Sequence, residues 1–243
     1  MRLKICTGVL LCLCPCLSSS TFGQLNFQSL ERSVEATQRA ACGAGELEDS
    51  IEFSSDAPGL FDEFAGFDFY LGLSDCGVAE SLVANIQMSN ISNASIDASG
   101  LLQYFLTALG DPAYASSEAS LATRSVLDAQ FSIASPVPYS FSGSIEGSEF
   151  YRPSLTLSQA GQPLHFVDSS PSPMDFEFTG TLQPGDYRLL YEGELEMEVR
   201  LDIAGDTTFF DFNLTVPEPS GFNALLVACG FLALIQRRHR KDS

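Results

Sequence analysis

Hydrophobic and polar residues alternate with a period of two along much of the chain. The clearest run lies near the C-terminal end, where apolar residues from Leu195 to Ile203 alternate with Glu, Arg and Asp. The pattern returns from Phe210 to Val216. Alternation of this kind puts one face of a strand in a core and the other in water, as in antiparallel sheets.

The same period predicts strands along most of the remaining chain. The longest is expected over 117–134, and a hairpin is expected around the turn-prone Ser89 to Asn93. The other predicted strands lie at 67–73, 82–88, 94–98, 139–144, 154–158, 164–167 and 174–179.

Four stretches are less regular. Residues 28–42 fit a strand or one face of a helix, and residues 43–60 are rich in Gly and acids, which predicts a loop. Apolar residues over 101–109 have helical spacing, with a strand as the alternative. We expect turns at Pro184-Gly185, where Gly accepts a positive φ, and at Gly205-Asp206.

Many short strands separated by Gly and Pro turns predict an all-β fold. The expected architecture is an antiparallel β-sandwich, with a jelly roll as one arrangement of it. Residues 24–215 are enough for a single core, so we expect one ectodomain there.

Residues 1–23 have the pattern of a secretory signal peptide. A positively charged start precedes an apolar run from Ile5 to Leu17, and Thr21 and Gly23 fit positions −3 and −1 of a cleavage site. A lipoprotein signal ending at Cys16 is the alternative, but a proline precedes that cysteine where a small residue is needed.

Residues 216–243 consist of a polar motif, an apolar run and a basic tail. An apolar run flanked by Arg and Lys enters a bilayer and keeps its basic end in the cytoplasm. The run from Gly221 to Ile235 gives about 23 Å of helix, against a bilayer core of about 30 Å. A signal passed to a protease can be this short, whereas a permanent anchor, the alternative, is normally longer. The stop-transfer residues are Arg237, Arg238, Arg240 and Lys241.

The motif, the predicted transmembrane helix and the basic tail together resemble the PEP-CTERM sorting signal. The resemblance implies recognition and cleavage by exosortase, a membrane protease-transpeptidase of bacteria with exopolysaccharide-rich surfaces. It also implies export through the inner membrane, a transient anchor, and a final place at the cell surface or outside the cell. Residues 136–143 and 180–187 resemble the β-rich ectodomains of such proteins, which have no assigned activity. The recognition residues implied are Val216, Pro217, Glu218, Pro219 and Ser220.

Charge narrows the range of partners. Between residues 24 and 216 the chain has six arginines, no lysine and 29 acidic residues, a formal charge of −23. A field of this sign repels nucleic acid and anionic lipid, so we expect neither as a partner of the ectodomain.

Cysteine usage predicts one disulfide. Of seven cysteines, four lie in the signal peptide and Cys229 lies in the apolar run. Cys42 and Cys76 remain as a pair in an oxidising compartment, so we expect them to be bonded. The bond would stabilise the fold by about 3–4 kcal/mol in the loop-entropy model.

Acidic residues with nearby aromatics are densest between residues 62 and 75. Carboxylate oxygens are ligands that Ca²⁺ prefers, so this cluster is a candidate calcium site, with a solvated acidic face as the alternative. The cluster consists of Asp62, Glu63, Asp68 and Asp75.

Catalytic chemistry has little support in the sequence. His165 is the one histidine of the ectodomain, no Gly-x-Ser-x-Gly motif is present, and a lone histidine is usually packed or on the surface. We therefore expect no enzyme, no catalytic residue and no required cofactor. The first hypothesis is a non-catalytic surface or extracellular-matrix protein associated with exopolysaccharide. The alternatives are a carbohydrate-binding sandwich, with or without calcium, and a secreted glycoside hydrolase that uses two carboxylates.

Overall fold

A computed structural model describes residues 24–42, 45–73, 77–109, 117–169, 172–200 and 202–217. The predicted signal peptide and residues 218–243 lie outside these ranges. The chain forms the strands β1 (Asn26–Cys42), β2 (Gly45–Ser55), β3 (Gly59–Leu73), β4 (Gly77–Ile91), β5 (Ser95–Leu109), β6 (Ser117–Ile133), β7 (Val137–Ile145), β8 (Ser154–Gln159), β9 (Gln162–Asp168), β10 (Met174–Leu182), β11 (Gly185–Arg200) and β12 (Ile203–Thr215).

The strands form two six-stranded antiparallel sheets packed as a sandwich. Sheet A has the order β2-β1-β6-β11-β8-β9, and sheet B has the order β10-β7-β12-β5-β4-β3. Hairpins join β1 to β2, β3 to β4 to β5, and β8 to β9. The predicted all-β fold and β-sandwich architecture are confirmed.

Period-two burial explains why these segments are strands. In β11, the odd-numbered side chains from Tyr187 to Val199 are buried, apart from Gly193 which has none, and most even-numbered ones face solvent. The boundary predicted from sequence is shifted, because β11 ends at Arg200 and Ile203 begins β12. Gly185 has φ +148° where the chain passes from β10 of sheet B to β11 of sheet A, so the positive φ predicted for this glycine is confirmed.

The core has two apolar parts separated by polar side chains. One part surrounds Phe131 and Phe212, and the other surrounds Leu106 and Leu121. Between the sheets, Asn85 Nδ2 donates to Thr123 Oγ1 at 2.6 Å and Gln87 Nε2 donates to the Val126 carbonyl at 3.0 Å. These bonds satisfy buried amides and join the facing sheets.

The structure overturns one prediction for the irregular stretches and decides between helix and strand in another. Residues 43–60 are not a loop, because β2 occupies most of them and forms the edge of sheet A, with its Glu residues on the exposed face. Residues 101–109 are not helical, because they continue β5. Leu101, Phe105 and Leu109 lie on the outer face of β5, so both faces are apolar and the period of two is hidden.

The turn predicted at Gly205-Asp206 is also wrong. Gly205 lies inside β12 and is paired with Phe105 of β5. A Cβ at Gly205 would lie 2.9 Å from the Tyr104 carbonyl oxygen and 3.0 Å from the Phe105 ring. The glycine therefore serves a close approach between strands and not a reversal of the chain.

Candidate functional site

The predicted sorting motif begins at Val216, one residue before the end of the described part of the chain. Val216 is fully buried, and its N–H donates to the Ala94 carbonyl at 2.8 Å. The next residue, Pro217, is exposed and is the last one described. Glu218, Pro219, Ser220 and the four stop-transfer residues lie outside the described residues. In the part of the chain that the structure covers, no helix has the length and apolar character needed to cross a membrane.

A second candidate site is an open groove of about 810 Å³ on the outer face of sheet A. It crosses β6, β11 and β8 near the N-terminal end of β1 and reaches β9. Gln130, Arg188 and Ser158 are paired in register across β6, β11 and β8, so they form one line perpendicular to the strands. Neighbouring members of this line are about 4.8 Å apart, the spacing of strands in a sheet.

Hydrogen bonds fix the polar side chains of this groove. Arg188 Nε and Nη2 donate to the two carboxylate oxygens of Asp128 at 2.9 and 2.8 Å. This pairing raises the pKa of the Arg188 guanidinium above its ordinary value. Gln28 Nε2 donates to Asp186 Oδ1 at 2.8 Å, which joins β1 to β11 beside the line.

The far side of the groove is the β8–β9 hairpin. Ala160 and Gly161 have φ values of 48° and 77°, as the tight two-residue turn between these strands requires. Phe166 of β9 is 59% exposed and is paired in register with Thr156 of β8 on the same outer face. The groove therefore combines a polar line with one exposed aromatic ring.

The candidate calcium ligands are not brought together by β3. Asp62 and Asp68 are exposed on one face but lie six residues apart, about 20 Å along a strand. Glu63 points to the opposite face, because adjacent residues in a strand alternate. Asp75 lies outside the described residues. Among the residues that the structure places, no group of three or more His, Cys, Asp or Glu side chains has the geometry to hold a metal ion.

The predicted disulfide is not tested by the structure. Cys42 ends β1, and its side chain is outside the described part of the chain. Cys76 lies just before β4 and is outside the described residues. The bond stays a prediction.

His165 is a packed residue, one of the two ordinary placements expected for it. Its ring stacks on Phe178 with a centroid distance of 4.0 Å and an interplanar angle of 11°. Its Nε2 lies 2.6 Å from the Tyr139 hydroxyl oxygen. Burial lowers the pKa of His165 from its ordinary value, because the charged imidazolium is poorly solvated there.

Sequence reasoning missed the groove. Its residues come from five strands, and Gln28 and Asp186, which are hydrogen-bonded, are 158 positions apart. In the sequence, Gln130 is one of several polar residues on the wet face of a strand. Only the strand order of sheet A, which the alternation pattern does not contain, brings Gln130 beside Arg188 and Ser158.

Comparison with protein-family models and with curated proteins gives no match. Among solved structures, the chain is similar to part of a GH31 alpha-xylosidase from Xanthomonas citri. The likeness has 11% sequence identity and a TM-score of 0.19, and it covers 75% of this chain and 32% of the enzyme. The chain thus spans about a third of that enzyme's length, and a likeness this low carries no argument about fold or function.

Proposed function

We propose that the protein is a non-catalytic surface or extracellular-matrix protein of a bacterium. It is exported through the inner membrane, held briefly by its C-terminal helix, and released to the cell surface or the exterior by an exosortase-type transpeptidase. Its proposed place is in association with exopolysaccharide. Support comes from the N-terminal pattern of residues 1–23, the tripartite segment of residues 216–243 and the acidic ectodomain between them.

The position of Val216 is the observation that carries this proposal. Val216 is the last buried residue of the described chain, and exposed Pro217 follows it at once. A protease that cuts after Pro217 therefore leaves all twelve strands and the buried Val216 in place. The folded ectodomain can leave the membrane intact, and the motif lies close to the bilayer while the helix is still inserted.

Replacement of the motif's acidic residue tests the proposal. We expect Glu218→Ala to leave the protein uncleaved in the inner membrane, because the resemblance places this residue in the recognition core. Glu196→Ala is the matched control, since Glu196 is an exposed residue of β11. Fractionation and intact mass distinguish the two forms. Normal release of the Glu218→Ala protein would contradict the sorting proposal.

A carbohydrate-binding sandwich is the second candidate function, and the groove on sheet A favours it. We infer that the sandwich is a jelly roll extended by four strands. Strands β5-β12-β7-β10 and β6-β11-β8-β9 correspond to the order 1-8-3-6 and 2-7-4-5 of an eight-stranded jelly roll. Strands β1 to β4 lengthen the two sheets beyond it. Jelly rolls include lectin domains, so this topology supports a binding role without specifying a ligand.

A further inference from the structure

We propose that the groove on the outer face of sheet A binds a neutral polysaccharide chain. The proposal deepens the suggested association with exopolysaccharide and rests on it for the source of the glycan. The recognition of the glycan is argued only from the residues of the groove. The site is the line formed by Gln130, Arg188 and Ser158, with Gln28 at one end and Pro163, the β9 partner of Ser158, at the other. Phe166 lines the same groove in the neighbouring row, opposite Thr156.

The line supplies hydrogen-bonding groups at a regular spacing. The residues that carry an amide, a guanidinium and a hydroxyl follow one another on three adjacent strands. Neighbouring strands lie about 4.8 Å apart. An amide and a hydroxyl both donate and accept, and the guanidinium donates. Successive sugar rings present hydroxyl groups that also donate and accept, at a repeat close to this spacing. A linear glycan lying across the strands therefore meets one polar side chain for each ring.

Phe166 supplies an apolar surface beside these polar groups. It is 59% exposed on the wet face of β9, where a phenylalanine gains little from its own burial. The C–H face of a sugar ring packs on the negative face of an aromatic ring, which gives the ligand an apolar contact in addition to its hydrogen bonds. Binding sites of small molecules commonly combine aromatic surface with a few fixed polar groups.

The electrostatics select an uncharged glycan. Arg188 is the one basic residue that lines the described groove, and its charge is balanced by Asp128. Asp186 adds a negative charge. Elsewhere on the outer face of sheet A, Arg39 and Arg124 are paired with Glu118 and Glu192, while Glu35, Glu52 and Glu194 add further negative charge. Uronic acid or sulfate groups would be repelled by this field.

The groove is also held in place before a ligand binds. Gln130, Arg188 and Ser158 stand on strands and not on loops, and the bidentate contact with Asp128 fixes the guanidinium. The Gln28–Asp186 hydrogen bond fixes the end of the groove nearest β1. Little side-chain freedom is therefore lost on binding, which favours affinity.

Affinity electrophoresis of the full-length chain in mild detergent tests the proposal. Detergent keeps the measurement independent of sorting, so failure of binding and failure of the sorting proposal give different results. The gels contain dextran, galactomannan, xyloglucan or mixed-linkage β-glucan as neutral probes, and alginate as the anionic probe. The variants are Phe166→Ala and Gln130→Ala. Phe64→Ala is the matched control, because Phe64 is 51% exposed on the outer face of sheet B.

We expect at least one neutral polysaccharide to retard the native chain and alginate to have no effect. Phe166→Ala and Gln130→Ala should weaken the interaction at least tenfold, and Phe64→Ala should leave it unchanged. Melting temperatures within a few degrees of the native value show that the variants are folded. The proposal is overturned if no neutral probe retards the chain, if alginate retards it equally, or if all three variants behave alike.

Discussion

Arg32 shows how one side chain can hold a turn from inside the core. It is 1% exposed, and its guanidinium donates to the Gly59 carbonyl at 2.8 Å, to the Ala57 carbonyl and to Ser55 Oγ at 3.2 Å. It also lies 5.1 Å from the centre of the Phe61 ring. These contacts connect β1 to the β2–β3 turn. Burial lowers the pKa of Arg32, because neutral acceptors replace only part of the hydration of the cation.

We expect Arg32→Ala to lower the free energy of unfolding by about 3 kcal/mol, since it leaves a cavity and unpaired carbonyl acceptors. Arg32→Lys should recover only part of this loss. The two terminal nitrogens of the guanidinium donate to different acceptors, and the single nitrogen of a lysine ammonium cannot reach all of them. Urea titration measures both effects. Arg152→Ala, which changes an exposed arginine, should shift stability by less than about 0.5 kcal/mol. A similar small shift for Arg32→Ala would contradict this account.

The sequence contained a sign of this burial. Arg32 shares its parity with Leu30, Val34 and Ala36, which are all buried on the inner face of β1. Period two alone therefore places the arginine inside. Its partners are not predictable from sequence, because Gly59 and Ala57 offer backbone carbonyls and any residue has one.

At the scale of the elements, the edge strands β9 and β10 face each other across the open side of the sandwich through aromatic rings. His165 of β9 stacks on Phe178 of β10 and contacts Tyr139 of β7. Burial lowers the pKa of His165 and so favours the neutral imidazole in the folded protein. Protonation should therefore weaken the contact between the two sheets at this side.

Stability should respond to pH through this histidine. A folded-state pKa below the unfolded value of about 6.5 means that the unfolded state binds the proton more readily. The contribution of neutral His165 to the free energy of unfolding is complete above pH 6.5, and it is lost as the pH falls toward the folded-state pKa. We expect urea midpoints to fall more steeply from pH 7 to pH 5 in the native protein than in His165→Phe, which keeps a ring there. If the urea midpoints of the native protein and of His165→Phe change with pH in the same way, His165 does not cause the pH dependence of stability.

The ends of β1 and β4 bear on the predicted disulfide. Gln38 Oε1 accepts from Ser81 Oγ at 3.0 Å, and Asn85 Nδ2 reaches the Glu35 carbonyl at 3.5 Å. The two strands thus run in opposite directions across the core. Cys42 ends β1 at the same end of the sandwich at which Gly77, the residue after Cys76, begins β4.

We expect Cys42 and Cys76 to be bonded in the exported protein. Alkylation with iodoacetamide after denaturation without reductant should leave the mass of the mature protein unchanged. Reduction before alkylation should add two carbamidomethyl groups. Removal of the bond by Cys42→Ser with Cys76→Ser should cost about 3–4 kcal/mol if the loop-entropy model applies. Two alkylated cysteines in the unreduced sample would disprove the bond.

Element prediction succeeded where one face of a strand is wet. The alternation in β6 and β11 was sufficient to locate them, because each has a charged outer face. It does not decide between helix and strand in β5, because Leu101 and Phe105 make the outer face apolar as well and the alternation disappears. In β2, the abundance of Gly and acidic residues indicates a loop more strongly than Leu47, Ile51 and Phe53 indicate a strand. These three residues are only partly buried, because β2 is at the edge of sheet A.

At the scale of the molecule, the two outer faces of the sandwich differ. The outer face of sheet A is charged, and its ion pairs include Arg39 with Glu118 and Arg124 with Glu192. The outer face of sheet B has apolar residues in register, among them Phe64, Ile86, Leu101 and Phe209. The sequence predicted a sandwich from alternation. It did not predict which strands are neighbours, because β1 with β6 and β5 with β12 pair across long separations in the chain.

The terminal segments and the sandwich lead to one account of the whole chain. The acidic domain, whose last described core residue is Val216, leads directly into a segment that resembles a sorting signal. This arrangement suits a protein that is anchored only until it is cut. We propose that the groove of sheet A is the surface with which the released domain binds the polysaccharide around the cell.

Intact mass of the native protein from each cell fraction tests the central claim most directly. The account predicts a mature form outside the inner membrane that begins near Gln24 and ends near Val216 to Ser220. A protein that keeps its C-terminal segment through Ser243 and stays in the inner membrane would contradict it. That result would make the protein a tethered domain and not a sorted surface protein.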